Sequence, residues 1–162
     1  MFYDNFDTGL IGTLTLTADE EGLRQIDFET ARYPVRIEAD WQRNGAFFKE
    51  TKSQLAAYFN GELKEFNLPL APRGTEFQQR VWRALKTIPY GAVVSYGWVA
   101  QQIGNPKAVR AVGGANGKNP LPLVIPCHRV IGSNGALTGF GGGLEIKERL
   151  IELEKTFLQN KI

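Results

Sequence analysis

Hydrophobic and polar positions alternate near the start of the chain. In "LIGTLTLTA", residues 10–18, Ile11, Thr13, Thr15 and Thr17 fall on one side and Leu10, Gly12, Leu14 and Leu16 on the other. This is the period-2 signature of a strand with one covered face. "ADEEGL" then turns the chain into "RQIDF", so the first 30 residues read as strands that include a hairpin. From Phe48 to Phe59 the period changes, with Leu55, Tyr58 and Phe59 at helical spacing. "NGELKEFNLPLAPRG" is a polar, Pro- and Gly-marked connection, and places a domain boundary near Leu70 to Arg73.

The second half reads as helical. Thr75 and Gln78 stand at capping-box spacing, and Phe77, Val81, Trp82 and Leu85 share one face, so a helix begins at Glu76. Ser95 caps a helix through Ile103, "GNP" breaks it, and a further helix is expected from about Pro106 to about Asn116. Two short helices across a Gly-bearing turn have the form of a helix-turn-helix, a pattern that many non-binding helix pairs share. From Leu121 the chain reads as a buried strand, a turn at "GSNG", a mobile "GFGGG" loop and a last helix. That helix is anchored by Ile146, Leu150, Leu153 and Phe157, with Glu148 off the apolar stripe.

Charge sharpens the division. Residues 1–68 carry 7 Lys/Arg against 12 Asp/Glu, and residues 69–162 carry 12 against 5, a net of −5 followed by +7. No acidic residue lies between Glu76 and Glu145, while Arg80, Arg83, Lys86, Lys107, Arg110, Lys118 and Arg129 all do. A polyanion is the natural partner of such a surface, although a solvated basic face has the same composition. The segment "KAVRAVGGANG" surrounds Arg110 with Ala and Gly; each helical Gly costs about 1 kcal/mol relative to Ala. Close approach of another surface accounts for that: either a packed neighbouring helix, or a nucleic-acid groove entered by a thin face with one guanidinium.

With one Cys in 162 residues no internal disulfide forms, and one Cys with one His cannot supply a zinc cluster. The first residues, "MFYDNFDTGLIG", are acidic where a signal peptide is basic, and no run approaches the ~18 apolar residues of a membrane span. A soluble protein in a reducing, cytoplasmic setting is expected, or a nuclear one in a eukaryote.

The single Cys and single His are adjacent, Cys127 and His128, in "LVIPCHRVI". A free Cys in an apolar run is commonly a small buried hydrophobe. To act as a nucleophile it needs a base or cation nearby. On an extended strand neighbouring side chains point to opposite faces. Direct contact of Cys127 with His128 therefore requires a turn, which Pro126 could make; otherwise a water carries the proton.

"IPCHRV", with "SY" at 95 and 96, "NPKAVRAV" from 105, "NP" at 119 and 120 and "GGGLEIKERL" from 141, resembles the 6-O-alkylguanine-DNA alkyltransferase family. The resemblance is dense from about Gly74 to Leu153. It implies an α/β (α+β) protein. Residues 1–70 would form a small ribonuclease H-like sheet-and-helix support domain, and residues 74–162 a winged helix-turn-helix-like, mostly helical domain for DNA binding and alkyl transfer. The activity implied is irreversible, single-turnover transfer of an alkyl group from oxygen 6 of guanine in duplex DNA to Cys127. The nucleotide is flipped from the minor-groove side, and oxygen 4 of thymine is left open as a second target.

By the same resemblance His128 takes the thiol proton through a water, Glu148 orients His128, and Asn119 ties the strand back to the turn. Tyr96 and Arg110 turn the nucleotide out, with Ala111, Gly113, Gly114 and Lys118 along the DNA-facing surface. Tyr96, Val130, Phe140, Gly141 and Gly142 form the alkylguanine pocket. No cofactor or metal is implied; the partner is duplex DNA carrying alkylated guanine, bound by a monomer that can cluster along it. The chain departs from the family pattern at Phe140, where many members have Tyr, at Gly117, where some have Arg, and in lacking ligands for the zinc of some members. Two rival readings remain open: a lesion-binding protein that repairs nothing, from which the retained Cys127 argues away, and a sequence-specific helix-turn-helix regulator.

Overall fold

The computed structural model describes residues 1–159. Strands β1 (Phe2–Asp7), β2 (Thr13–Asp19), β3 (Gly22–Phe28) and β4 (Gln42–Arg43) form one sheet in the order β3-β2-β1-β4. β1 and β3 flank β2 antiparallel, and β4 joins β1 in parallel. Leu14 pairs with Phe28 and Leu16 with Ile26, and all four are buried. The expected alternation fails at Thr17, which is fully buried: the register shifts between Thr17 and Ala18, and such a bulge re-aims the side chains beyond it. Helix α1 (Lys49–Phe59) buries Leu55 and Tyr58.

The polar connection after α1 also extends the sheet. Leu70 bridges Leu23 in parallel, with the Leu23 amide donating to Pro69 O and the Ala71 amide to Leu23 O, each at 2.9 Å. Gly22 permits this approach: its φ is +143°, and a Cβ there would lie 2.7 Å from Pro69 O.

Helix α2 (Glu76–Leu85) opens with the expected capping box, Thr75 Oγ1 accepting from the Gln78 amide and Gln78 Oε1 from the Thr75 amide. A two-residue strand β5 (Val94–Ser95) leads into α3 (Tyr96–Gln102), capped by Ser95 Oγ. α4 spans Val109–Gly117 and packs against both α2 and α3. It starts later than the expected Pro106 because residues 105–108 form a separate turn, the Ala108 amide donating to Asn105 O at 3.0 Å. The Trp82 indole N–H donates to Ala115 O at 2.9 Å and locks α2 to α4.

The segment expected as a buried strand from Leu121 is buried but is not a strand. Pro120, Pro122 and Pro126 lack the N–H groups a ladder requires, and Leu123 has a left-handed φ of 75°. The chain instead folds through turns into a short 3-10 helix at Cys127–Arg129, and only Val130–Ile131 (β6) pairs, in parallel, with β5. α5 (Leu144–Gln159) closes the fold. The sheet, α1 and the helices share one hydrophobic core, in which Leu14, Phe28, Leu55, Trp82, Val130 and Leu150 all take part. No helix among the described residues is long and apolar enough to cross a membrane.

Candidate active site at Cys127

Pro126, with φ −79° and ψ 66°, has the dihedrals of an inverse γ-turn, and the Cys127 amide donates to Ile125 O across it at 2.7 Å. Asn119 braces the same turn: its Nδ2 donates to Ile125 O at 2.8 Å and its Oδ1 accepts from the Leu121 amide at 3.0 Å. Cys127 is thereby presented, only 5 % exposed, at the floor of a cleft of about 580 Å³. Asn119 and Phe140 line the same cleft, together with Asp27, Phe28 and Tyr33 of the N-terminal half.

Burial pushes the Cys127 thiol up to about 11; the Asn119 side chain, within hydrogen-bonding reach of the sulfur, and the Lys147 ammonium oppose this. Lys147 is fully buried, and its Nζ donates to Thr138 O at 3.0 Å. Burial lowers the Lys147 pKa, and the charge of a Cys127 thiolate would raise it. Each charge therefore favours the other, and the Lys147 ammonium lowers the cost of ionising the Cys127 thiol.

Behind the thiol, fully buried His128 places Nε2 2.6 Å from Glu154 Oε2. Arg129 holds the same carboxylate with two bonds, Nε to Oε1 at 2.8 Å and Nη2 to Oε2 at 3.0 Å, while its Nη1 donates to Ile88 O. The Tyr58 hydroxyl donates to Glu154 Oε2 at 2.6 Å, and the Gly91 amide to Oε1 at 3.1 Å. Burial on its own would raise the Glu154 carboxyl, but the hydrogen bonds and charges of His128 and Arg129 outweigh it and hold the group well below the usual carboxylate range. Burial lowers the His128 pKa against the pull of Glu154. Burial thus works against a second proton on the imidazole, while the ionised carboxylate accepts from the proton on Nε2. His128 Nδ1, buried and without a protein partner, is left as the basic nitrogen.

The carboxylate expected at Glu148 is not the one at His128. Glu148 is exposed on α5, beside Leu10, Arg149 and Glu152. Glu154 lies six residues on, about one and two-thirds turns, which carries it to the buried face.

Arg110, Ala111, Gly114 and Lys118 are all exposed on or just beyond α4. A Cβ added at Gly114 or Gly117 would meet nothing within 4 Å, and one at Gly113 only the Tyr96 ring at 3.9 Å. Tight packing inside the protein therefore does not explain these glycines. The Tyr96 hydroxyl lies 2.5 Å from Thr138 Oγ1, which joins the start of α3 to the pocket loop. Of the other expected pocket residues, Phe140 and Gly141 line the cleft, Gly142 is buried, and Val130 is fully buried in the β5–β6 pairing.

Two family models match the chain: the ribonuclease-like domain of 6-O-methylguanine DNA methyltransferase over residues 1–72, and the DNA binding domain of the same family over residues 76–156. The chain belongs to the 6-O-methylguanine DNA methyltransferase family. It is 53% identical over 154 residues to a methylated-DNA--protein-cysteine methyltransferase of Methanosarcina acetivorans, covering 95% of this chain and 98% of the relative. A relative of the same description from Mycolicibacterium paratuberculosis is 53% identical over 146 residues, 90% of this chain and 87% of its own. Among solved structures, Mycobacterium tuberculosis OGT in complex with DNA superposes with a TM-score of 0.89 at 48% identity, covering 97% of this chain and 94% of that one. The O6-methylguanine-DNA methyltransferase of Pyrococcus kodakaraensis gives 0.64 at 26% identity, over 94% and 98%.

Within this methyltransferase fold, sequence reasoning missed Glu154, Lys147 and Tyr58. A signal for the first two was present: Lys147, Ile151 and Glu154 repeat at i, i+4, i+7 beside Ile146 and Leu150, which puts two charges on the apolar face of α5. Charges in that position are rarely tolerated unless partnered.

Proposed function

We propose that this chain repairs DNA by direct reversal, accepting the alkyl group of 6-O-alkylated guanine on Cys127 in a single turnover. The observation that carries the reading is Cys127 at the floor of an open cleft, with a buried imidazole fixed by Glu154 next to it in the chain. The thiol proton passes through one water to His128 Nδ1, and the imidazolium so formed is stabilised by Glu154. The thiolate, next to the Lys147 charge, attacks the alkyl carbon in line with the departing oxygen. An S–C bond forms and the C–O bond breaks; the departing guanine takes up a proton from water, and the imidazolium returns the thiol proton to solvent. The thioether has no leaving route, so the protein is consumed.

Neither the cleft nor the thiol can reach a base stacked inside a duplex, so the nucleotide is extruded, at a cost of a few kcal/mol. The exposed face of α4 enters the minor groove, where its missing side chains allow depth. Arg110 fills the vacated place, Tyr96 guides the turned-out nucleotide toward the cleft, and Lys118 adds a phosphate contact. Asn119 keeps the Cys127 turn rigid, and Phe140 and Gly141 wall the base. Two units, residues 1–70 and 74–162, divide support from chemistry, and a reduced thiol suits a cytoplasmic setting.

Incubation with duplex carrying 6-O-methylguanine, followed by intact-mass measurement and peptide mapping, should find one methyl group, on the peptide containing Cys127. An unmodified thiol beside tightly bound lesion would instead support a lesion-binding protein.

A further inference from the structure

The wall of the cleft facing Cys127 is a stretch with almost no side chains of its own to anchor it. Positions 139, 141, 142 and 143 are all glycine, and a Cβ at Gly139, Gly141 or Gly143 would meet nothing within 4 Å. On its N-terminal side Thr138 is held by the Tyr96 hydroxyl and the Lys147 ammonium. Beyond Thr138, the contacts that hold the stretch laterally come from the other half of the molecule. The Phe28 ring at the end of β3 meets the Phe140 ring with centroids 5.4 Å apart, and Thr30 Oγ1 donates to Gly142 O at 3.0 Å. Gly142 lies flat on Phe28: a Cβ there would be 2.8 Å from the Phe28 Cδ2, closer than side chains approach.

Building on the function proposed above, we infer that Phe28 and Thr30 are positioning residues that fix how far Phe140 can withdraw from Cys127, and so set the largest alkyl group the site accepts. Phe28 is buried and lines the same cleft as Phe140 and Cys127. Shrinking it leaves space behind Phe140, and the wall recedes. A methyl group needs none of that space, whereas a butyl group does. The N-terminal sheet is then a ruler for the substrate as well as a support.

The test uses the full chain and single-turnover rates on two duplexes that differ only in the substituent on guanine oxygen 6, methyl or butyl. Phe28→Leu should raise the butyl-to-methyl rate ratio by about tenfold, the lower end of what one methylene-sized change in an apolar pocket gives. Thr30→Val, at an exposed position, should raise the ratio in the same direction by less. Gly142→Ala should slow both substrates, because its Cβ forces the loop off the ring, and Phe28→Leu in that background should restore them. An unchanged ratio in Phe28→Leu and Thr30→Val, or a Gly142→Ala defect that Phe28→Leu does not relieve, would overturn the inference while leaving the proposed function intact. Failure of the wild-type chain to transfer either group would defeat that function and the inference with it.

Discussion

Replacing Glu154 by Gln removes one charge from a carboxylate that accepts from His128, Arg129, Tyr58 and Gly91, while keeping its shape. The amide can still accept at one oxygen, but its NH₂ must face a donor that previously met an oxygen. Arg129, only 7 % exposed at its side chain, loses its counter-ion. Breaking a buried pair in this way costs about 3–5 kcal/mol, so Glu154→Gln should melt roughly 6–20 °C below wild type for a chain of this length. The pH dependence gives a second check. The folded carboxyl titrates well below its ordinary value of 4.5, so its contribution is complete above that value and is lost as pH falls through the lower, folded one. The difference between wild type and variant, measured by urea denaturation, should therefore be greatest near pH 7 and shrink progressively below pH 4.5. Alkyl transfer by the folded fraction should also slow, since His128 loses the charge that stabilises its protonated form. Exposed Glu148→Gln should stay within about 0.5 kcal/mol of wild type and transfer at the wild-type rate. Full stability in Glu154→Gln, or slow transfer in Glu148→Gln, would refute the assignment of the buried carboxylate.

Lys147→Met should raise the Cys127 pKa further and slow transfer about tenfold for each pKa unit, with the pH–rate profile displaced to alkaline pH and partly restored in Lys147→Arg; an undisplaced profile would leave Lys147 a purely structural role. Arg110→Ala should weaken repair of duplex far more than reaction with free 6-O-methylguanine, and reduce the salt slope of DNA binding by about one; equal losses on both substrates would contradict a part in extrusion. Tyr58→Phe removes a donor to a buried carboxylate and should destabilise by about 1.5–3 kcal/mol in urea titration; a change under 0.5 kcal/mol would mean the hydroxyl is dispensable.

Local chemistry made much of this fold legible. The capping box at Thr75, the cap at Ser95 and the turn near Gly22 are written in neighbouring residues, and each is found where the pattern puts it. The short parallel pairings were not legible, because Gln42–Arg43 beside β1 and Val130–Ile131 beside β5 depend on distant chain and carry no period of their own. At the site, Cys127 and His128 stood out by rarity. The carboxylate did not, since α5 holds Glu145, Glu148, Glu152 and Glu154, and only the side on which each falls separates them. Reading Glu148 from its place in "GGGLEIKERL" overlooked that Ile146 and Leu150 define the buried side, on which Glu154 lies. The strand expected around Cys127 failed for a local reason that the three prolines already announced.

The N-terminal half enters the chemistry through contacts that no local pattern encodes. Tyr58, on α1, bonds the carboxylate that orients His128, and Phe28 and Thr30, on and just beyond β3, hold the loop that faces Cys127. One half thus touches the site from behind the base and from in front of the thiol. Because the core is continuous between the halves, each contact is as rigid as the packing beneath it. Residues 74–162 alone would keep Cys127, His128 and Glu154 but lose the Tyr58 hydroxyl and the lateral support of Phe140, with apolar surface of α5 bared to water. A suicide reagent gets one reaction per molecule, so the geometry of thiol, base and wall must be set before the substrate arrives. The acidic, sheet-forming half contributes that preorganisation, while the basic half contributes the surface that meets DNA.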